Sequence, residues 1–259
     1  KSPQRPPLRR LLLPIQRISQ PDEVSCGPTC VAQVLRLFGE TRPLSDLLNQ
    51  VRRNADGGTQ AVWLGQLALD LGYRARLYPF GVRVFDPTWW RMEPAELISR
   101  LEARSAALSR QPGRERDVIT TDAWRDFVSA GGKVAFVEPS PKLLVRILDR
   151  GRPIICGLSA SWLYRESRER PDDNVSDDIL GEPVGHFVVV RGYTGGGLHL
   201  HIVDPADDPP PSLPSPKAAP PSAHGEYPLP ASRLLHAVLL GDTTRDAVLL
   251  EIWPARPRS

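Results

Sequence analysis

Four side chains in this sequence can be joined into one reaction site: Gln20, Cys26, His186 and Asp204. Cys26 stands in Ser25-Cys26-Gly27-Pro28, where a capping hydroxyl followed by a proline marks the start of a helix. Unpaired N–H groups and the positive end of the helix dipole favour a thiolate over a thiol there, and the thiolate is the nucleophile. It needs a base to share its proton. His186, with Gly185 before it, opens an apolar run in which it alternates with Val188 and Val190, so a strand would project its ring from a rigid element. Asp204 closes a further strand that Pro205 stops; it can accept the ring N–H of His186, fix the tautomer and stabilise the imidazolium. Gln20 lies shortly before Cys26, and its amide can point, beside the Cys26 backbone N–H, at the place where a tetrahedral oxyanion develops.

These groups need elements to position them. Apolar residues at Val31, Val34, Leu35 and Phe38 carry a helix from Cys26 to its stop at Gly39. Further helices are predicted over 44–51, from Gly57-Gly58-Thr59 to Leu71, and over 92–110, 122–130, 142–150 and 229–240, with polar loops at 111–116 and 165–178. Strands are predicted over 74–80, 134–137, 154–158, 186–193, 198–203 and 247–253, with Thr194-Gly195-Gly196-Gly197 as a hairpin turn. Helices come first and mostly antiparallel strands follow, which is the α+β order. Residues 1–19 read as an extended arm and 20–259 as a single domain. The ten prolines of 205–230 deny that segment an interior helix or strand and make it an exposed loop. Its Pro-x-x-Pro spacing at Pro211 to Pro214 could attract a partner domain, although a plain solvated loop explains it as well.

Composition narrows the function classes. The 259 residues carry a formal net charge of only +3, with 41% hydrophobic and 24% charged residues. That is a globular composition with no nucleic-acid or membrane partner written in its charge. No apolar run is long enough to cross a bilayer, and the Leu11–Leu13 cluster is too short for a secretory signal. Three cysteines, odd in number and sparse, argue against a secreted disulfide framework, so the expected compartment is cytoplasmic.

Three strings stand in order along the chain: Gln20-Pro-Asp-Glu-Val-Ser-Cys26-Gly-Pro-Thr-Cys30, Gly185-His186-Phe-Val-Val-Val-Arg-Gly-Tyr193, and Val203-Asp204-Pro205. Together they resemble the cysteine peptidases that remove double-glycine leaders from bacterial peptides, family thirty-nine of the cysteine class. The resemblance implies a papain-like α+β fold with N-terminal helices packed on a mostly antiparallel sheet. It implies Cys26 as nucleophile, His186 as general base and acid, Asp204 as orienting residue and Gln20 in the oxyanion hole. The substrate would be a peptide or protein, with no metal or organic cofactor. Two features depart from the family. The 259 residues include no transporter segment, so the expectation is one of the free-standing relatives. Cys26 and His186 stand 160 positions apart (186 − 26), more than compact members place there. The excess falls near 81–152 and reads as an insertion that builds a lid or a specificity wall.

Other residues compete for attention. Cys30, one helical turn after Cys26, and Cys156, in an apolar strand, read as packing. His199 and His201 share a strand face, as a His-x-His metal pair would, but nothing at ligand spacing completes the set. Asp207 and Asp208 are rivals to Asp204 placed inside the Pro-rich loop. Trp89 and Trp90 fit either a groove wall or satellite core, and 159–168 fits either a cleft lining or a solvated loop. Besides a peptide hydrolase acting through a thioester, the same four residues suit an acyl-transfer enzyme. A silent peptide-binding module of the same fold is the reading from another class.

Overall fold

The structure, a computed structural model, describes residues 9–207, 225–244 and 246–255. Its centre is a sheet whose neighbouring strands run β3-β2-β8-β4-β5-β6-β7, with β1 paired to β5 off this path. In chain order these are β1 (Leu11–Leu12), β2 (Tyr73–Pro79), β3 (Lys133–Val134), β4 (Ile154–Ser159), β5 (Gly185–Thr194), β6 (His199–Val203), β7 (Glu226–Pro230) and β8 (Val248–Pro254). All pairings are antiparallel except β2 with β3. The helices are α1 (Cys26–Leu37), α2 (Leu44–Gln50), α3 (Ala61–Asp70), α4 (Pro94–Leu108), α5 (Glu115–Ser129), α6 (Pro141–Leu148), α7 (Ala160–Tyr164) and α8 (Ala231–Leu240).

Helices cover both faces, which is why Phe187-Val188-Val189-Val190 is apolar without alternation. Phe187 and Val189 join Ile155, Leu250 and Ile252 under α1, α3, α4 and α5. Val188 and Val190 join Ile154, Cys156 and Leu249 under α6, α7 and α8. The chain is therefore the mixed α+β molecule the sequence reading expects, with the N-terminal helices on a mostly antiparallel sheet and further helices on its other side. The 81–152 stretch supplies α4 and α5, whose Leu97, Leu101, Trp124 and Phe127 pack into the α1 side, and α6, whose Leu144 and Ile147 pack into the other.

Several boundaries differ from the sequence expectation. Helix α5 begins at Glu115, inside the predicted loop: Gly113, at φ 75°, turns the chain, and Glu115 and Asp117 put negative charge on the first helical turn. The predicted 134–137 strand shortens to two residues paired with β2. The Pro-rich loop ends early, because Glu226–Pro230 is a strand on β6. It lies at the sheet edge, where Pro228 and Pro230 need no outward ladder partner. Within that loop, residues 208–224, Asp208 and Pro211 to Pro214 included, lie outside the described residues.

The arm reaches the site through β5. Leu11 and Leu12 pair with Tyr193 and Gly192. A Cβ on Gly192 would stand 2.1 Å from the Leu11 carbonyl oxygen, so only glycine admits the arm there. Gly192→Val is expected to expel the arm from the sheet. The check is limited trypsin digestion, which should cut after Arg9, Arg10 or Arg17 faster than in the parent protein.

Candidate active site

Cys26 is the first residue of α1, and the buried hydroxyl of Ser25 does not cap that helix. It accepts instead from Arg53 Nη2 at 3.2 Å, while Arg53 Nη1 donates to the Gly57 carbonyl at 2.8 Å. This corrects the capping expectation. The first turn also carries no acidic side chain, so its N–H donors remain for a negative charge at Cys26. Cys26 is 8% exposed, against 0% for Cys30 and Cys156, which leaves it the reachable thiol of the three. Cys30 donates to the Phe187 carbonyl at 3.3 Å, and burial pushes the Cys156 thiol well above the ordinary thiol range, which disfavours its thiolate.

The structure brings His186, Asp204 and Cys26 together. His186 is the second residue of β5, opposite Leu158 in β4. Its Nε2 lies 2.9 Å from Asp204 Oδ1, and the ring is within hydrogen-bonding reach of Cys26. With Nε2 on the carboxylate, Nδ1 is the nitrogen left for sulfur. Burial works against a charge on the ring; Asp204 and Cys26 outweigh it and push its pKa up to about 10.

Asp204 is fully buried, yet it is no orphan. Oδ1 also accepts the Ala206 N–H at 3.0 Å, and Oδ2 accepts the hydroxyls of Tyr164 at 2.5 Å and Tyr227 at 2.7 Å. Burial opposes its charge, but the facing His186 and the tyrosine hydroxyls hold its carboxyl below the usual carboxylate range. The Tyr164 ring flanks His186, with centroids 5.8 Å apart. The rival Asp207 turns away and pairs with Arg17 at 2.9 Å.

Gln20 is tied to the same turn, its backbone N–H donating to the Pro205 carbonyl at 2.9 Å. Its Nε2 spends one hydrogen on the Asp22 carbonyl at 2.9 Å and keeps a second. Arg17 fastens the far side: Nε donates to the Asp204 carbonyl at 2.8 Å and Nη2 to that of Ala206 at 2.6 Å.

Three contributors were missed by sequence reasoning. Arg17 sat in the arm, Tyr227 in the Pro-rich loop and Tyr164 in the polar 159–168 stretch. The alternation of Tyr227 and Leu229 between prolines, and the helical spacing of Ala160, Leu163 and Tyr164, mark both tyrosines as buried. Nothing local says that their hydroxyls meet a carboxylate. Elsewhere, Trp89 packs half-buried against the α1-side core, while Trp90 is exposed beneath the Arg91 guanidinium. His201 Nε2 lies 3.4 Å from Thr194 Oγ1 and His199 is exposed; among the described residues no cluster of His, Cys, Asp and Glu is arranged to hold a metal ion. No described helix is long and apolar enough to cross a membrane.

Tyr164→Phe and Tyr227→Phe each remove one of the two donors from a buried carboxylate oxygen. Each is expected to cost about 1–3 kcal/mol in urea unfolding, and the double variant, which strands Oδ2, more than the sum of the two.

No family model and no curated protein matches the sequence. Among solved structures, one described as a C39-like peptidase from Bacillus anthracis aligns over 96% of this chain and 100% of its own, at 14% identity and a TM-score of 0.48. Xylellain, a cysteine protease from Xylella fastidiosa, aligns over 96% of this chain and 87% of its own, at 16% identity and a TM-score of 0.46. A double-glycine motif protease from an AMS/PCAT transporter, solved in complex with the leader peptide, aligns over 96% and 98%, at 16% identity and a TM-score of 0.40. Overlaps this loose, at such identity, do not by themselves fix an activity.

Proposed function

We propose that this chain is a papain-like cysteine peptidase with Cys26 as nucleophile, His186 as proton carrier, Asp204 as the group that orients His186, and Gln20 as an oxyanion donor. One observation carries the reading: the His186 ring reaches Cys26 while its Nε2 is held 2.9 Å from a buried carboxylate, and it is the basic side chain that this carboxylate faces among the described residues. A cation beside sulfur and a bare helix N-terminus both favour the thiolate. A structural histidine needs neither.

The chemistry follows from those positions. Cys26 sulfur attacks the peptide carbonyl carbon, a C–S bond forms, and the carbonyl electron pair moves onto oxygen. That oxygen is met by the Cys26 N–H and the spare Gln20 Nε2 hydrogen. As the tetrahedral species collapses, the C–N bond breaks and the His186 imidazolium donates its proton to the leaving amine. His186, now neutral, takes a proton from water; the hydroxide oxygen bonds to the thioester carbon and sulfur leaves as thiolate. The substrate class is a peptide or a leader-like segment of a protein, as the resemblance of the three sequence strings implies.

The test is chemical labelling followed by cleavage. Iodoacetamide, mapped by mass spectrometry, is expected to modify Cys26 at neutral pH ahead of Cys30 and Cys156, and His186→Ala to slow it at least about tenfold. Cys26→Ala is expected to abolish peptide cleavage, and Gln20→Ala to lower turnover about 10²–10³-fold. Labelling of Cys26 no faster than of the two core cysteines would defeat the reading.

A further inference from the structure

Away from the reacting residues, α3 turns one face to a hollow that it shares with α5 and the end of α2. Trp63, Gln66, Leu67 and Asp70 line it from α3, at the i, i+3, i+4 and i+7 spacing that puts side chains on one helical face. Gln50 and Arg52 close it on one side and Ala123 and Asp126 on the other, and with its mouth included it measures about 430 Å³. That size is ordinary for a small-molecule site. Other positions of α3 face the nucleophile and the sheet: Leu64 lies close to Gly27, and Gly65 to Leu77 and Phe127. Gln20, Cys26, His186 and Asp204 take no part in its lining.

Several groups in this hollow lack a complement among the described residues. Trp63 is only 5% exposed, and its Nε1–H is buried with no acceptor. Gln66 gives Nε2 to Asp70 Oδ1 at 2.8 Å, which settles the end of the amide that is oxygen. That Oε1 is buried and takes no donor. The Arg52 guanidinium lies over the Trp63 ring, 4.8 Å from its centroid, with no carboxylate paired to it. Asp70 has no cation. Asp126, by contrast, is spent on Arg125 at 2.8 Å.

These groups are sorted by sign along the helix. A cation and a bare N–H donor stand at Trp63, while a bare acceptor and a carboxylate stand at Gln66 and Asp70. Trp63 and Asp70 are two helical turns apart, roughly 10 Å along the axis. A buried donor and a buried acceptor left unpaired are each unfavourable, and a molecule carrying both complements relieves both. We propose that the hollow binds a small α-amino-acid zwitterion, a free amino acid or a very short peptide. Its carboxylate is met by Arg52 and the Trp63 N–H, and its ammonium donates to Gln66 Oε1 and Asp70. The Trp63 ring, Leu67 and Ala123 offer apolar surface to its side chain. The site uses none of the four reacting residues, so it stands or falls apart from the peptidase reading.

The test follows the six indole N–H resonances of the nitrogen-15-labelled chain, that of Trp63 being the one lost in Trp63→Phe. L-leucine, leucyl-glycine and leucyl-glycyl-glycine are each titrated to about 20 mM. At least one is expected to move the Trp63 resonance downfield and to saturate, as the N–H gains a carboxylate acceptor. The N-acetyl form of that ligand lacks the ammonium and its carboxamide lacks the carboxylate; each is expected to bind at least about tenfold more weakly. Arg52→Gln, a change at an exposed position, is expected to weaken the parent ligand by a similar factor. No saturable movement with any of the three, the behaviour of a hollow that holds only water, overturns the proposal. Equal binding of the acetylated or the amidated form overturns it too, a comparison that needs no variant to fold, as does saturation unchanged by Arg52→Gln.

Discussion

A negative charge held out of water at Asp204 is the constraint on which the site depends. A buried carboxylate is tolerated only when its lone pairs are met by donors, because the low-dielectric surroundings that strengthen each hydrogen bond also penalise each one missing. Among the described residues the donors come from four places: His186 on β5, Ala206 in the turn after β6, Tyr164 at the end of α7 and Tyr227 on β7. The charge therefore exists only when the centre of the sheet, its edge strand and a helix on one face are all assembled. In return it sets the state of His186, whose largely buried ring would otherwise shed its proton.

The turn that bears this carboxylate is fastened from outside by the arm. Arg17 holds the carbonyls of Asp204 and Ala206, and the Gln20 backbone holds that of Pro205. The arm is anchored in turn at Gly192 of β5, the strand that carries His186. The oxyanion amide and the charged pair thus share one support. Cys26 arrives separately on α1, whose open N-terminus is kept in place by Arg53 through Ser25 and Gly57 rather than by a capping side chain. The reacting groups meet where that helix end abuts the first residues of β5.

Much of this was legible in the sequence wherever a local pattern had a local cause. The helix after Ser25 followed from apolar spacing, and the β5–β6 hairpin from its glycines, which take φ of 63°, 68° and 103° at Gly195, Gly196 and Gly197. The grouping of Cys26, His186 and Asp204 rested on their chemistry and on the resemblance carried by three sequence strings, since element ends alone do not say which residues meet. What escaped was settled at long range. Prolines that forbid an interior strand permit an edge strand, and only sheet order says that β7 is an edge. The hydroxyls of Tyr164 and Tyr227 find Asp204 across 40 and 23 positions of chain. Ser25 has the identity of a capping residue, but Arg53 competes for its hydroxyl.

The most direct measurement of the Asp204–His186 linkage is the titration of the His186 ring by nitrogen-15 NMR, in the wild-type chain and in Asp204→Asn. The account predicts that the wild-type ring stays doubly protonated through neutral pH, with its midpoint displaced toward about 10, and that Asp204→Asn brings the midpoint down by more than one pH unit. A wild-type midpoint near the ordinary histidine value of about 6.5, unmoved by Asp204→Asn, would contradict it.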